Sequence, residues 1–184
     1  WAEGFRNPQQ FSWDRSTGVM YAIDIGASNI EEVNIVEPGR HYGWSYFEGD
    51  YLLSFNSERD IRKSWLPLIA TPFTAPFSQY DHDEGKAIGS GFVYRGTALP
   101  ELRGKYVMAD VASGRIFYTA DAKTRSTSAP LTELMLLDRT NTPSTLARIL
   151  GRERVDLRLA QDSNGEILLL NKHDDSIRRV VAVD

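Results

Sequence analysis

The sequence predicts an all-β fold of short antiparallel strands joined by tight turns. Two observations carry this. Helical periodicity is nearly absent; what recurs is a short alternating or apolar run, then Gly or Asp, then another run, which is the pattern of strand and turn. In addition, three stretches share one outline: STGVMYAID, LRGKYVMADVASGRIFYTAD and SNGEILLLNKHDDSIRRVV. Each has a glycine (Gly18, Gly104, Gly165), a strand-like run, a short polar loop and a second strand. The glycines are 86 and 61 residues apart. Repeats of several strands over about 40–50 residues point to propeller blades, and longer loops would stretch the period. Any antiparallel protein yields such echoes, so periodicity alone leaves a sandwich or a barrel open.

Taken in order, FSW at 11–13 leads through the turn DRSTG to a strand, VMYAID, at 19–24. EEVNIV at 31–36 ends at EPGRHYGW, a turn rich in Gly and Pro. Residues 51–79 break the pattern. SERDIRKSW at 57–65 predicts one short helix, and LPLIATPFTAPF at 66–77 is proline-rich. A loop this long is either a binding loop or an ordinary surface excursion. GFVYRG at 91–96 reads as a strand ending in a turn. KYVMAD at 105–110 and RIFYTAD at 115–121 form a hairpin through VASG. LTELMLL at 131–137, EILLLNK at 166–172 and IRRVVAV at 177–183 read as the closing strands.

At 184 residues the chain has the length of about one domain. A net charge of −4 and a pI near 5.4 make a poor footprint for nucleic acid or anionic membrane. No apolar run approaches the roughly 18 residues of a membrane helix. There is no cysteine, so disulfides and cysteine metal sites are excluded. The histidines are His41, His82 and His173. Neither H-E-x-x-H nor G-x-S-x-G occurs. DHDEG at 81–85 has its glycine one place too early for an EF-hand and lacks the closing glutamate.

Two features suggest chemistry. In DIGASNIEEVN, residues 24–34, a strand ends, the chain turns at Gly26, and two glutamates follow. Glycine lets backbone carbonyls turn out of a ladder, and carbonyls and carboxylates are calcium's ligands; a polar loop with two solvated glutamates is the simpler account of this segment alone. Basic groups also lie near both ends, Arg6 with Asn7, and Arg152 with Arg154. Arginine forks grip carboxylates in paired hydrogen bonds. If the ends meet, they could hold a small polyanion; otherwise they are solvated arginines.

Together, GFRNPQQFSWD, TGVMYAIDIGASNIEEVNIVEPGRHYGW, YDHDEGKAIGSGFVYRG, LRGKYVMADVASGRIFY and RVDLRLAQDSNGEILLL resemble the soluble quinoprotein sugar dehydrogenases, the glucose/sorbosone dehydrogenase family. The resemblance is strongest over residues 4–49 and 80–120. It implies a six-bladed β-propeller of which residues 1–184 are the C-terminal half, about three blades, with the N-terminal blades or a second copy needed for closure. It implies pyrroloquinoline quinone (PQQ) and calcium as cofactors, an aldose oxidised at its anomeric carbon to a lactone, an external electron acceptor, and a periplasmic or secreted location. By the same resemblance Arg6, Asn7, Arg152 and Arg154 contact the quinone, with Arg158 a competing candidate. The carbonyls of Gly26 and Ala27 hold the catalytic calcium, and Glu32 and the Tyr42 carbonyl a second, structural one. Tyr80, His82 and Asp83 lie on the sugar-facing loop. The family's general base, a histidine, falls outside this sequence, and Ala112 stands where a lysine contacts the cofactor. That departure favours the rival expectation, a non-catalytic propeller binding a protein or glycan, as in animal hedgehog-binding relatives of this fold.

Overall fold

The structure is a computed structural model and describes residues 1–53, 61–62, 73–119 and 129–183. Strands β1 (Pro8–Trp13), β2 (Met20–Asp24) and β3 (Ile30–Val36) come first. A small sheet of β4 (Phe47–Glu48), β5 (Tyr51–Leu53) and β6 (Ile61–Arg62) follows. Then β7 (Ser78–Asp81) completes a four-stranded antiparallel sheet in the order β1-β2-β3-β7. The second sheet is β8 (Ile88–Val93), β9 (Tyr106–Asp110), β10 (Ile116–Thr119) and β11 (Leu131–Glu133), paired in sequence. The ribbon β12 (Leu136–Leu137) and β13 (Pro143–Ser144) leads to the single-turn helix α1 (Leu146–Ile149), whose first turn is capped by the Thr145 side chain. The third sheet is β14 (Leu157–Gln161), β15 (Ile167–Asn171) and β16 (Ser176–Arg179).

The glycines of the sequence echo occupy the same place in the three sheets, in the turn just before the second strand. Gly18, Gly104 and Gly165 have φ of +73°, +88° and +83°, a left-handed backbone that other residues adopt only with strain. The echo is therefore a chiral requirement of one turn, used three times.

The first strands of the sheets lie side by side and run in the same direction. Gln10 accepts from the Gly91 amide and Asp14 pairs with Arg95, each across 81 residues. Ser90 accepts from the Leu159 amide and Val93 from the Gln161 side chain, across 69 and 68 residues. A nearly constant offset means parallel alignment. The middle sheet is buried on both faces. Tyr106 and Met108 of β9 pack with Tyr21, Ile23 and Val33 of the first sheet. Val107 and Ala109 pack with Leu157, Leu159, Ile167 and Leu169 of the third. Period-two alternation sends neighbouring residues to opposite faces, so a strand apolar throughout is one covered on both sides. Sheets stacked in series around parallel inner strands make a propeller-type arrangement rather than a two-sheet sandwich.

Several sequence expectations need correction. The segment LTELMLL is not one strand; it breaks at Leu134–Met135 into β11 and β12, and β16 ends at Arg179 rather than continuing to 183. Most of the helix expected at 57–65, and residues 66–72, lie outside the described residues; Ile61 and Arg62 pair as strand with Leu53 and Leu52. Among the described residues no helix is long and apolar enough to cross a membrane.

Candidate functional site at one end of the sheets

The register places several expected residues at a common end. Pro8 pairs with Asp24, Ile88 with Asp110 and Leu157 with Asn171, so Arg6, Lys86 and Val155 stand at matching entries to the inner strands. Arg154 directly precedes Val155. The turns after Asp24, Asp110 and Asn171 open at this end too. Asp24 and Asp110 act alike as clamps. Asp24 accepts from the amides of Arg6 and Asn7 at 2.8 and 2.6 Å. Asp110 accepts from those of Lys86 and Ala87 at 2.5 and 2.6 Å, and from the Ser113 amide and hydroxyl.

The loop from Ile25 to Asn29 is folded over Glu48. One Glu48 carboxylate oxygen accepts from the amides of Ser28, Asn29 and Ile30 at 3.1, 2.8 and 2.8 Å. Gly26 is required by this fold-back, because a Cβ there would lie 1.9 Å from the Ile30 carbonyl oxygen. Arg6, exposed, aims its guanidinium into the loop and donates to the carbonyls of Ile25 at 3.0 Å and Gly26 at 2.7 Å. It also lies 5.7 Å from the centre of the Trp44 ring.

Buried carboxylates crowd beneath the loop. Burial raises Asp24 above the usual carboxylate range; the Arg6 and Asn7 amides oppose this, and Glu48 adds to it. Burial, with the charges of Asp24 and Glu48, pushes Glu32 up to about 8 against hydrogen bonds from Asn34 and Gly49. Glu31, on the other face of β3, is raised by burial and opposed by Ile88, His82 and Gly26. Two buried oxygens, Oε2 of Glu48 and Oδ1 of Asn34, have no hydrogen-bond partner. Orphaned buried acceptors are rare in folded proteins.

The expected calcium ligands meet this geometry unevenly. The Gly26 carbonyl is held by Arg6, so a metal ion there requires Arg6 to move. Both oxygens of Glu32 are taken, by the Asn34 side chain at 3.0 Å and the Gly49 amide at 2.7 Å. Tyr42 is buried, with its hydroxyl between the Ile35 carbonyl and the Glu37 amide. Among the described residues no group of three or more His, Asp or Glu side chains is arranged to hold a metal; the Gly26 and Ala27 seat consists of carbonyls.

Of the expected cofactor residues, Asn7, Arg152 and Arg154 are exposed. Neither Arg152 nor Arg154 has a side-chain hydrogen bond or ion pair among the described residues. Their competitor Arg158 is paired with Asp156 at 3.0 Å. The Ala112 carbonyl accepts from the Val155 amide at 3.0 Å. Tyr80 corrects the sequence reading: it is 4% exposed, sits in the core between the first two sheets, and gives its hydroxyl to Asp110. His82 is partly exposed and Asp83 exposed, both at the open end.

Sequence reasoning missed Glu48 and Asp110, and it took Asp24 and Glu31 only as members of the segment 24–34, with no separate role. A usable signal existed for Asp24 and Asp110. AID at 22–24 and MAD at 108–110 each end an apolar strand in aspartate immediately before a turn.

The family model described as Glucose / Sorbosone dehydrogenase matches residues 1–177. The HIPL1 protein of Arabidopsis thaliana is 28% identical over 195 aligned residues, covering 98% of this chain and 27% of that protein. A crystal structure of glucose dehydrogenase is similar with a TM-score of 0.68 at 18% identity, over 100% of this chain and 47% of that one. The PQQ-bound form of aldose sugar dehydrogenase from Streptomyces coelicolor is similar with a TM-score of 0.56 at 19% identity, over 94% and 39%. The chain thus spans about a quarter of HIPL1 and about half of the glucose dehydrogenase.

Proposed function

Because the chain belongs to the glucose/sorbosone dehydrogenase family, we propose that it forms part of a PQQ- and calcium-dependent dehydrogenase oxidising an aldose at its anomeric carbon to a lactone. What supports this is that Arg6, which donates to the Ile25 and Gly26 carbonyls, and exposed Arg154, next to Val155, stand at matching entries to the inner strands. Arg6 with Asn7, and Arg152 with Arg154, supply forks and an amide for a polycarboxylate. The carbonyls of Gly26 and Ala27 supply oxygen ligands for calcium, provided Arg6 leaves Gly26 for a cofactor carboxylate. Glu32 and the Tyr42 carbonyl are the candidates for a second ion, which would answer the crowding of Asp24, Glu32 and Glu48. The chemistry such cofactors supply when bound is hydride acceptance by the quinone, with the ion as Lewis acid. His82 and Asp83 face the sugar; Tyr80, tied to Asp110, supports them from within the core. An external acceptor would be needed to take electrons from the quinone when it is bound. In this reading the chain contributes about three blades of a six-bladed propeller, closed by further blades or a second copy, in a periplasmic or secreted enzyme.

The test is a titration of PQQ into the full-length protein with calcium, read by tryptophan fluorescence. Saturable, calcium-dependent binding weakened about ten-fold or more by Arg6→Ala, the scale of a lost charge-assisted contact, is expected. No binding to a folded protein would sink the quinoprotein reading. One observation favours a second reading: Ala112 brings no cation to the open end. A propeller without the cofactor, binding a protein or glycan partner, would then be the alternative.

A further inference from the structure

Glu31, which the proposed chemistry does not use, contacts His82. Glu31 is 1% exposed. One of its oxygens accepts from the Ile88 amide at 2.9 Å, and the nearby Gly26 amide helps to favour the charged carboxylate. The other oxygen lies 3.1 Å from Nε2 of His82. A carboxylate between fixed amide donors offers acceptors only, so Nε2 must carry the proton. In the neutral ring Nδ1 is then a bare acceptor.

The backbone of His82 is fixed as well. Asp81 closes the turn, accepting the Asp83 amide on its side chain and the Glu84 and Gly85 amides on its carbonyl. The Lys86 ammonium donates to the His82 carbonyl at 2.5 Å. The imidazole is 29% exposed and has no second hydrogen bond among the described residues. It directly follows β7, the strand paired with β3, at the end where Arg6 and the Gly26 loop stand.

We propose that Glu31 is a positioning residue that holds His82 as the Nε2–H tautomer, so that Nδ1 accepts a hydrogen bond from a hydroxyl of the substrate. Because the same carboxylate holds the Ile88 amide, it sets that acceptor in fixed relation to the start of β8. The identity of the hydroxyl compound as a sugar rests on the function proposed above; the tautomer does not.

The experiment is nitrogen-15 NMR of the histidine rings in the full-length protein. His82 is expected as Nε2–H. In Glu31→Gln the single carbonyl oxygen is claimed by the Ile88 amide and the NH₂ group faces the ring, so the tautomer reverses. Addition of glucose, galactose or xylose should move the Nδ1 resonance in the parent and not in Glu31→Gln. With turnover, Glu31→Gln should raise KM about ten-fold, a lost hydrogen bond, with kcat little changed. Glu31→Gln should add nothing in a His82→Ala background. If Glu31→Gln fails to fold, His82→Ala carries the test alone through its KM. An Nδ1–H ring in the parent, or an Nδ1 signal unmoved by all three sugars, overturns the proposal. A protein that ignores PQQ but shows the sugar-dependent shift refutes the quinoprotein reading and leaves this one standing.

Discussion

The two ends of the inner strands treat buried carboxylates in opposite ways. At the far end Asp14 is 2% exposed and receives a two-pronged bond from Arg95 at 2.7 and 2.6 Å. Burial raises Asp14, but Arg95, Thr17 and the Ser16 amide outweigh it and hold its carboxyl at about 2. Glu166, also buried, takes the Tyr94 hydroxyl and the amides of Thr97 and Ala98 and is held below its usual range despite burial. At the open end Asp24, Glu31 and Glu32 are all raised, and Glu48 and Asn34 keep orphaned oxygens. The same strands therefore end in satisfied staples on one side and in crowded acids on the other. The difference is one of charge: Asp14 and Glu166 are outweighed by their donors, whereas Asp24, Glu31 and Glu32 stay raised although their oxygens are hydrogen-bonded.

The largest effect should come from breaking the staple. Arg95→Ala leaves Asp14 buried without its counter-charge, and it cuts the link between the first and second sheets. A loss of about 3 kcal/mol is expected, read as a lower urea midpoint. The double variant Arg95→Ala/Asp14→Ala should recover part of it, since both partners are then gone. If Arg95→Ala unfolds at the parent's midpoint, the far end is not what holds these sheets together.

Sequence made the sheets legible where backbone chirality or apolar runs left a mark. Gly18, Gly104 and Gly165 are visible because only a left-handed turn needs glycine at that place. β2, β9 and β15 are visible because both their faces are largely covered. β7 (SQYD) and β14 (LRLAQ) are not, since their polar residues read as loop. The open end was partly legible. Arg6 and Gly26 stood out by residue type, whereas the Glu31–His82 contact spans 51 residues and depends on β7 returning to pair beside β3. Tyr80 was misread because its position on a loop-flanking strand says nothing of which way the ring turns; it turns into the core.

The next comparison is between glycines. Gly26→Ala puts a methyl against backbone, 1.9 Å from the Ile30 carbonyl oxygen, so the loop must move. About 2 kcal/mol of stability and the calcium-dependent fluorescence change should both be lost. Gly18→Ala meets no atom within 4 Å and carries only the strain of φ +73°, about 1 kcal/mol, with ligand binding intact. Equal loss of binding in the two variants would mean that the loop does not shape the site.

The smallest effect is a difference in pH dependence, and it has opposite signs at the two ends. Asp14 titrates at about 2 in the folded chain against an ordinary 3.8, so its contribution is present above 3.8 and lost as pH falls through about 2. Glu32 titrates at about 8 against an ordinary 4.5. The folded state there holds the proton more tightly than the unfolded one, so that contribution is full below 4.5 and is lost as pH rises through about 8. Between pH 5 and 8 the far end is silent and the open end alone should erode stability. Without calcium, urea midpoints of the parent should therefore fall across this window, by upward of about 1 kcal/mol. Glu32→Gln, which cannot ionise and keeps an acceptor for the Gly49 amide, should flatten the fall. A parent whose midpoint is level from pH 5 to 8, or a Glu32→Gln variant that declines as steeply, would mean that burial and the neighbouring Asp24 and Glu48 charges do not raise Glu32, and the contrast between the two ends would lose its electrostatic basis.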